Sequence, residues 1–418
     1  MTAAPIKTGS ARPDEAGAVA PLRIALVISN LEYGGAQRQV IELANHLERG
    51  TFEVHVCSLS RYVPLAADLE DAAERLFVLT KRFKFDVSVI WRLAAWLRRI
   101  RADVVHSYLF DANIAARLAG RLAGVGAVIG SERNTDYHLK RRQLWAYWAT
   151  RSCSDLIIAN SRAGAQFSQR VLGHPAEHYR VVHNGVDTVR FRPQEKAVIR
   201  SRLGLAAEAL VVGMFASFKA QKNHPLLLEA ARRVLNRRGD VKFLLVGDEL
   251  HGGMHGSDAY KVRVFGMIEA LGLSRACVLA GNRDDVEDVY CACDVTVLPS
   301  LFEGTPNVLL ESMSCGVPVV ATDVADNAAI APDGRVGFIV PLGDAGVLAD
   351  RLLRLIEDGE LRRRCGAAAR AWVESEFSTA RLAEKTGAVY REALALRARR
   401  GVEGTRASAS GSSGAVRR

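Results

Sequence analysis

The chain has 418 residues, of which 49% are hydrophobic and 24% charged, and its formal net charge is +10. This is the composition of a globular protein with two or three domains. The positive charge favours anionic partners, but the sequence has no zinc-finger spacing and no aromatic RNA-binding motif, so we expect no nucleic-acid partner.

The two ends of the chain differ in composition from the rest. Residues 1–20 are rich in Ala, Gly and Pro without the apolar core of a signal peptide, and residues 399–418 are a low-complexity tail. No window reaches 18 consecutive apolar residues, and the seven cysteines form no disulfide framework. We therefore expect a cytoplasmic protein with disordered ends at residues 1–20 and 399–418.

Short runs rich in Val, Ile and Leu alternate with helical patterns between these ends. The runs show little polar alternation, as in parallel strands that are covered on both faces, so they predict an α/β fold with parallel sheets. A first series of predicted strands comprises Arg23–Asn30, Glu53–Ser60, Asp103–Tyr108, Ala127–Ser131, Asp155–Asn160 and Arg180–His183. A second series comprises Leu210–Ala216, Val241–Gly247, Cys277–Ala280, Val295–Pro299, Pro318–Thr322 and Phe338–Val340.

A Pro-containing stretch, Phe191–Lys196, separates the two series. It predicts one α/β domain at residues 21–190 and a second at residues 191–378, followed by a terminal helix at residues 379–398. Ligands of open parallel sheets bind at the carboxyl ends of the strands. Functional residues are therefore expected directly after strands.

Two segments that follow predicted strands are suited to a phosphate. Tyr33–Ala36 contains paired glycines, Gly34 and Gly35, which permit close backbone approach. Lys222 follows the strand Leu210–Ala216 and can neutralise a phosphate. A tight turn and a solvated lysine are the alternatives for these two segments.

The strongest motif is Ser300–Glu311, which follows the strand Val295–Pro299. Thr305 is suited to cap a helix and Pro306 to begin it, while Gly304 would let a ligand approach the backbone. Free amides at the helix N-terminus would then point at a diphosphate. These amides belong to Asn307, Val308 and Leu309.

Glu303 and Glu311 lie on either side of this helix N-terminus. Glu311 is six residues past the expected cap, about 9 Å along the axis. One carboxylate can accept hydrogen bonds from sugar hydroxyls and the other from ribose hydroxyls. The alternative is a capped amphipathic helix with one surface glutamate.

The order and spacing of these segments resemble the family 4 glycosyltransferases of the GT-B fold, from about Arg23 to about Glu392. Asn184–Asp187, Ala280–Val286 and Cys315–Val320 add to the resemblance. It implies two Rossmann-like domains whose parallel sheets face a central cleft, with a C-terminal helix crossing back to the first domain. It also implies an enzyme that transfers a sugar from a nucleotide donor with retention of the anomeric configuration.

The resemblance also implies roles for individual residues. Glu303 would contact the donor sugar near the reacting carbon, and Glu311 would hold the ribose. Further donor contacts are implied for Gly35, Lys222, Asn282, Arg283, Thr305, Asn307, Val308 and Leu309. The family needs no metal and no cofactor beyond the nucleotide-sugar, of UDP or GDP type. A front-face route is implied, with double displacement through a carboxylate as the competing scheme.

The chain departs from the family pattern in two places. The family's His-x-His pair reads His106-Ser107-Tyr108, so His106 is the candidate catalytic histidine, with Asp111 as a second candidate for part of that role. A structural histidine at a strand end is the alternative. A Glu of the family is replaced by Ala329. A nucleotide-sugar epimerase and a non-catalytic sugar-nucleotide-binding protein therefore stay open beside the transferase.

The acceptor side is expected in the first domain. Its candidate residues are Tyr108, Asp111, Glu132, Arg133 and Asn134. Much of the basic charge lies in Lys81–Arg101 and Lys140–Arg151, which also contain Trp91, Trp96, Trp145 and Trp148. Such a surface could lie on an anionic bilayer, and a core-facing aromatic stripe is the alternative. We expect a glycan or lipid-linked acceptor in bacterial-type surface polysaccharide or glycolipid assembly, and hypothesise peripheral attachment to the inner face of the cell membrane.

Overall fold

The strands of the protein pair in parallel within two sheets. The computed structural model describes residues 20–83, 86–133, 140–249 and 256–412. The strands are β1 Leu22–Ile28, β2 Phe52–Ser58, β3 Leu76–Val78, β4 Val104–Tyr108, β5 Ala127–Glu132, β6 Leu156–Ala159, β7 Tyr179–Val181, β8 Leu210–Phe215, β9 Val241–Val246, β10 Cys277–Gly281, β11 Val295–Leu298, β12 Val319–Thr322 and β13 Gly337–Val340.

Helices connect these strands. They are α1 Gly35–His46, α2 Ala72–Arg75, α3 Ser88–Arg99, α4 Phe110–Ala123, α5 Arg141–Thr150, α6 Arg162–Leu172, α7 Lys196–Arg202, α8 His224–Arg237, α9 Ser257–Ala270, α10 Val286–Cys291, α11 Asn307–Ser314, α12 Asn327–Ile330, α13 Ala345–Glu357, α14 Gly359–Glu376 and α15 Thr379–Ser412. Short 3₁₀ helices occupy Pro64–Asp68, Arg151–Cys153, Ala176–His178 and Ala220–Lys222.

The predicted α/β class and the two parallel sheets are confirmed. The first sheet has the order β3-β2-β1-β4-β5-β6-β7 and the second the order β10-β9-β8-β11-β12-β13. Each predicted strand is present, with ends that differ from the prediction by at most two residues. Sequence reasoning missed β3, because three residues with an exposed final valine carry almost no pattern.

The strand order locates the ligand site. In the first sheet the order reverses between β1 and β4, and in the second it reverses between β8 and β11. Helices that leave neighbouring strands at such a point lie on opposite faces of the sheet, which opens a crevice at the carboxyl edge. The segments that follow β1, β8 and β11 therefore meet the two crevices.

The last helix, α15, crosses back to the first domain, as the resemblance implied. Its buried side chains include Leu382, Val389 and Tyr390, which pack in one core with Ile24 and Leu26 of β1. The predicted end at residue 398 is wrong, because the helix continues to Ser412. Extending a helix adds one hydrogen bond for each residue that is fixed. Residues 1–19 and 413–418 of the predicted disordered ends lie outside the described residues.

Candidate active site

A cleft between the carboxyl edges of the two sheets contains a cavity of about 480 Å³. The first domain lines it with the segment after β1, from Tyr33 to Ala36, and with Arg133 and Asn160, which follow β5 and β6. The second domain contributes the segments after β8 and β11. Their lining residues include Ser217, Lys219, Lys222, Glu303, Gly304, Thr305, Asn307, Val308 and Glu311.

The N-terminus of α11 lines the cavity, and this helix begins one residue later than expected. The helix starts at Asn307, and Pro306 is its cap residue without a side-chain bond. The expectation that Thr305 caps the helix is wrong, because its hydroxyl donates to the carbonyl of Asn160 in the first domain. Thr305 therefore joins the two domains and does not cap the helix.

The amides at this helix N-terminus are not all available. The Leu309 amide donates to the Pro306 carbonyl at 3.2 Å, and its side chain is buried in the core. The expected diphosphate contact of Leu309 is therefore wrong. The amides of Asn307 and Val308 have no hydrogen-bond partner within the described ranges, and both residues line the cavity. Two amides are thus left for an anion.

Lys222 and Glu303 form an ion pair inside the cavity. The Lys222 Nζ lies 2.5 Å from Glu303 Oε1, and the two side chains are 17% and 8% exposed. The two loops are also joined by Gln221, which donates through Nε2 to the Phe302 carbonyl at 2.9 Å and accepts from the Leu301 amide. The sequence motifs after β8 and β11 therefore form one polar unit.

Lys219 adds a second cation to this unit. Burial and the nearby charge of Lys222 lower the pKa of its amine. The side chain makes no ion pair within the described ranges and lines the same cavity. An arriving diphosphate would relieve the repulsion between the two lysines.

Glu311 lies about one turn further along α11. There the cavity continues into a smaller one of about 210 Å³. The Tyr290 hydroxyl donates to Glu311 Oε2 at 2.8 Å, and burial raises the pKa of the Glu311 carboxyl. Asn282 and Arg283 line this smaller cavity, and Asp285 holds the Arg283 guanidinium through two bonds of 2.8 Å. Glu311 and these two residues are therefore brought together, as expected for one end of an elongated ligand.

The two domains touch directly around the cavity. Asn184 donates through Nδ2 to the Thr305 carbonyl at 2.8 Å and to Asn307 Oδ1 at 2.6 Å. The Asn307 side chain reaches the Gly35 carbonyl at 3.5 Å. Gly35 thus faces α11 from the first domain, where the resemblance placed it.

Gly304 has a different role from the expected one. A Cβ atom at this position would lie 2.6 Å from Asn160 Oδ1 and 2.8 Å from the Arg133 carbonyl. Both neighbours belong to the first domain. The expectation that Gly304 lets a ligand approach the backbone is corrected. The missing side chain lets residues of the first domain pack against this position.

Asp326 forms another contact between the domains, which sequence reasoning did not find. Its carboxylate accepts from the amides of Arg162 at 2.7 Å and Ala163 at 3.1 Å, at the start of α6, and from His183 Nε2 at 3.0 Å. Although burial opposes it, hydrogen bonding by His183 and these amides lowers the pKa of Asp326. The sequence offered one signal for this contact. Asp326 lies three residues before Ala329, where the chain departs from the family pattern.

His106 lies away from the cavity, and its expected catalytic role is corrected. The residue is 1% exposed, with Nδ1 bonded to the Tyr390 hydroxyl at 2.8 Å and Nε2 to the Ser131 hydroxyl at 2.7 Å. Burial holds the pKa of His106 well below its usual value, which favours the neutral ring. It is the hydrogen-bonded strand-end histidine of the alternative interpretation.

The expected acceptor-side residues are spread over several environments. Tyr108 is buried beside His106, with the Arg133 guanidinium 5.3 Å from its ring. Glu132 is also buried, and Asp111 lies at the start of α4 in an ion pair with Lys81. Arg133 alone of this set lines the cavity, and Asn134 lies outside the described residues. The acceptor-side positions expected for Tyr108 and Glu132 are therefore corrected, because both residues are buried, while Asp111 stays a candidate on that side.

Within the described ranges, no group of three His, Cys, Asp or Glu residues could hold a metal ion. In the same part of the chain, no helix has the length and apolarity to cross a membrane.

Two family models match the chain, one on each domain. Glycosyl transferases group 1 matches residues 195–372, and Glycosyltransferase Family 4 matches residues 33–190. A D-inositol 3-phosphate glycosyltransferase of Acidothermus cellulolyticus is 30% identical over 71% of this chain and 68% of that protein. The UDP-Gal:alpha-D-GlcNAc-diphosphoundecaprenol alpha-1,3-galactosyltransferase of Escherichia coli is 26% identical over 78% of this chain and 85% of its own length.

Solved structures share the fold. Anabaena Alr3699/HepE, crystallised with UDP, superposes with a TM-score of 0.78 at 22% identity, covering 89% of this chain and all of that one (100%). Sucrose-phosphate synthase of Thermosynechococcus elongatus gives a TM-score of 0.71 at 20% identity, covering 90% and 99% of the two chains. At these identities, the superpositions establish the two-domain architecture alone.

Proposed function

Because this chain belongs to the glycosyl transferases group 1 and is a glycosyltransferase of the GT-B fold, we propose that it transfers a sugar with retention from a nucleoside-diphosphate donor. The observation that carries this proposal is the order of groups along the cleft. Glu303, the Lys222 ammonium, the amides of Asn307 and Val308, and Glu311 line connected cavities. That order matches sugar, diphosphate and ribose.

A UDP-sugar is the proposed donor. Glu311 accepts hydrogen bonds from the ribose hydroxyls, and the base lies in the smaller cavity beside Asn282 and Arg283. The E. coli relative is named for a UDP-galactose donor, and HepE was crystallised with UDP and with UDP-glucose. These likenesses and the shape of the connected cavities support the proposal.

Two lysines and two amides carry the proposed chemistry. The bond from the anomeric carbon to the diphosphate oxygen breaks, and a bond to the acceptor oxygen forms on the same face. The acceptor proton passes to the departing phosphate oxygen. Lys219, Lys222 and the amides of Asn307 and Val308 stabilise the charge on the diphosphate, as preorganised donors do. We propose that this set supports transfer without a metal ion.

The proposed acceptor is a glycan or a lipid-linked sugar. The E. coli relative is named for an acceptor attached to diphosphoundecaprenol, and the lipopolysaccharide outer core galactosyltransferase WaaB shares the fold. The acceptor would enter from the first domain, beside Arg133. Residues of both domains line the sugar end of the cavity, so transfer would follow domain closure.

Peripheral contact with an anionic membrane at the cytoplasmic face belongs to this proposal. Trp145 and Trp148 of α5 are 68% and 59% exposed, and Trp91 of α3 is exposed as well. Trp96 is buried and stacks on Phe77 at 5.4 Å, so it is excluded from such a surface. Exposed tryptophans beside arginines suit a bilayer interface. The hypothesis fails if the protein does not bind anionic vesicles at low salt.

A donor screen tests the transferase proposal against its rivals. The protein is incubated with UDP-, GDP- and ADP-sugars, with and without lipid-linked and free acceptors, after a thermal-shift measurement of binding. We expect binding of a UDP-sugar and transfer only when an acceptor is present. Formation of an epimer without acceptor would identify an epimerase. Binding without turnover under all conditions would identify a non-catalytic sugar-nucleotide-binding protein.

A further inference from the structure

A second cavity lies at the same edge of the first sheet, beyond the ends of β2 and β3. Its volume is about 490 Å³, and its lining includes four cationic side chains, Arg61, Lys81, Arg82 and Arg92. Its lining contains no acidic residue within the described ranges. The proposed function uses none of these four residues.

Acidic neighbours neutralise only half of this charge. Lys81 Nζ lies 2.6 Å from Asp111, and the Arg92 guanidinium lies 2.7 Å from Asp86. Arg92 also donates to the Thr80 carbonyl at 3.0 Å, which holds it against the cavity wall. The exposed side chains of Arg61 and Arg82 make no ion pair within the described ranges.

Two uncompensated guanidinium groups therefore stand beside two cations that are already positioned. Guanidinium groups bind phosphate oxygens through paired hydrogen bonds, and ammonium groups add a point charge. The carboxyl edge of a parallel sheet is also where ligands of such sheets bind. The chemistry of the cavity thus matches a phosphate or diphosphate anion.

Exposed apolar side chains adjoin these cations in the sequence, where Phe83 follows Arg82 and Trp91 precedes Arg92. Together with Val87 they are called the apolar rim below. Phe83, Val87 and Trp91 each expose more than half of their surface, and Val87 and Trp91 are one helical turn apart at the start of α3. Free anions in water would gain nothing from this rim. An anion attached to a lipid would bury its first apolar carbons against the rim while its phosphate meets the arginines.

The position of the cavity relates it to the donor cleft. Arg61 lines the cationic cavity, and Leu65, four residues later, lines the donor cavity. The cavities lie over β2–β3 and β1, and neighbouring strands are about 4.8 Å apart, so roughly 5–10 Å separates the two along the sheet edge. A sugar that follows an anchored phosphate would therefore lie within reach of the donor cleft.

We propose that the cavity formed by Arg61, Lys81, Arg82 and Arg92 binds the phosphate or diphosphate group that joins the acceptor sugar to its lipid. The proposal rests on the lipid-linked acceptor proposed above. Asp111 then acts as a positioning residue, because it holds Lys81 at the cavity. The donor site and this anion site are separate, so either can be lost without the other.

The test uses the full-length protein with excess UDP, which occupies the donor site. Flotation compares neutral phosphatidylcholine vesicles that carry undecaprenyl diphosphate with vesicles that carry phosphatidylglycerol at equal total charge, at about 0.15 M salt to screen unspecific attraction. The variant is Arg61→Ala with Arg82→Ala. The matched control, Arg232→Ala with Arg233→Ala, removes two exposed arginines of α8 in the second domain.

We expect the wild type and the control to prefer undecaprenyl diphosphate vesicles, and the Arg61/Arg82 variant to lose at least about tenfold of that binding. Its thermal shift with UDP should stay at the wild-type value, which shows that it is folded. Equal binding of both vesicle types by the wild type would mean bulk attraction to anionic lipid and would overturn the site. Unchanged binding of the variant would overturn it too.

The donor measurements separate this proposal from the proposed function. A protein that transfers sugar to a free acceptor but ignores undecaprenyl diphosphate retains the transferase function and lacks the anion site. A protein that binds the diphosphate lipid through Arg61 and Arg82 but turns over no donor keeps the anion site and loses the transferase proposal.

Discussion

The carboxyl edges of the two sheets are built from similar strand orders but present different chemistry to the cleft. In the second domain, Lys222, Glu303 and Glu311 follow β8 and β11 and line the cavity. In the first domain, His106 and Tyr108 at the end of β4 turn into a core shared with α15. Arg133, Asn160 and glycine-rich backbone line the cleft instead.

This difference indicates that the second domain supplies the charged groups that bind the donor. The first domain supplies the opposite wall of the cleft and the contacts that close it. The Lys222–Glu303 pair and the Tyr290–Glu311 bond hold their side chains within a single domain. The first domain's contribution depends on contacts across the cleft, such as Asn160 with Thr305. Variants of the two edges should therefore fail in different ways.

The largest effect is expected for Glu303→Gln. The change keeps the shape but removes the charge that faces Lys222 and the proposed sugar position, so kcat should fall by about 10²–10³. Nucleotide affinity should change by less than about threefold, because Glu303 is placed away from the ribose. Steady-state kinetics and calorimetry with UDP measure the two quantities.

Glu269→Gln is the control for this experiment, because Glu269 is an exposed glutamate of α9. Parallel losses of turnover and nucleotide affinity in Glu303→Gln would place the residue at the nucleotide end. The proposal that Glu303 contacts the sugar while Glu311 binds the ribose would then be contradicted.

Glu311→Ala should weaken nucleotide binding by about 10–100-fold, the cost of losing hydrogen bonds to a charged group. The smaller variant Tyr290→Phe removes only the hydroxyl that holds Glu311 and should cost less. Because burial raises the pKa of Glu311, wild-type affinity should start to fall at a higher pH than for an exposed glutamate. Calorimetry with UDP between about pH 8 and 5 checks both expectations. Unchanged affinity in Glu311→Ala would remove the ribose role.

Gly304→Ala should impair closure without changing the nucleotide contacts. The added carbon would meet Asn160 and the Arg133 carbonyl of the first domain, so we expect kcat to fall about tenfold with nearly constant UDP affinity. Gly239→Ala is the control, since a Cβ there has open space. If the UDP affinity of Gly304→Ala falls as much as its kcat, the glycine serves the donor, as the sequence first indicated.

The sequence predicted the fold well because its strands are continuous apolar runs with little ambiguity. It also predicted the segments of the donor end, since Lys222 and Glu311 lie in the segments that follow β8 and β11. It failed where the outcome depends on contacts over long separations. His106 is buried by Tyr390, 284 residues later, and Gly304 faces Asn160, so no local pattern at either residue shows its environment.

The smallest effect on turnover is expected for His106→Gln. This variant tests whether the carboxyl edge of the first sheet, unlike that of the second, contributes no charged side chain to catalysis. Losing the bonds to Tyr390 and Ser131 should lower the free energy of unfolding by about 1–3 kcal/mol, while kcat falls much less than in Glu303→Gln. Denaturant unfolding and kinetics on the same samples compare the two. A turnover loss as large as that of Glu303→Gln with unchanged stability would restore a catalytic histidine.

The pH dependence of this stability difference separates a buried neutral histidine from an ionised one. Burial lowers the pKa of His106 in the native protein, whereas the unfolded chain has the ordinary value of about 6.5. Below about pH 6.5 the unfolded state binds a proton that the native His106 does not bind, so stability from His106 is lost as the pH falls. The stability advantage of the wild type over His106→Gln should therefore shrink between about pH 7 and 5. If the stability advantage of the wild type instead grows as the pH falls over this range, the native His106 ring is charged. The carboxyl edge of the first sheet would then carry a cation.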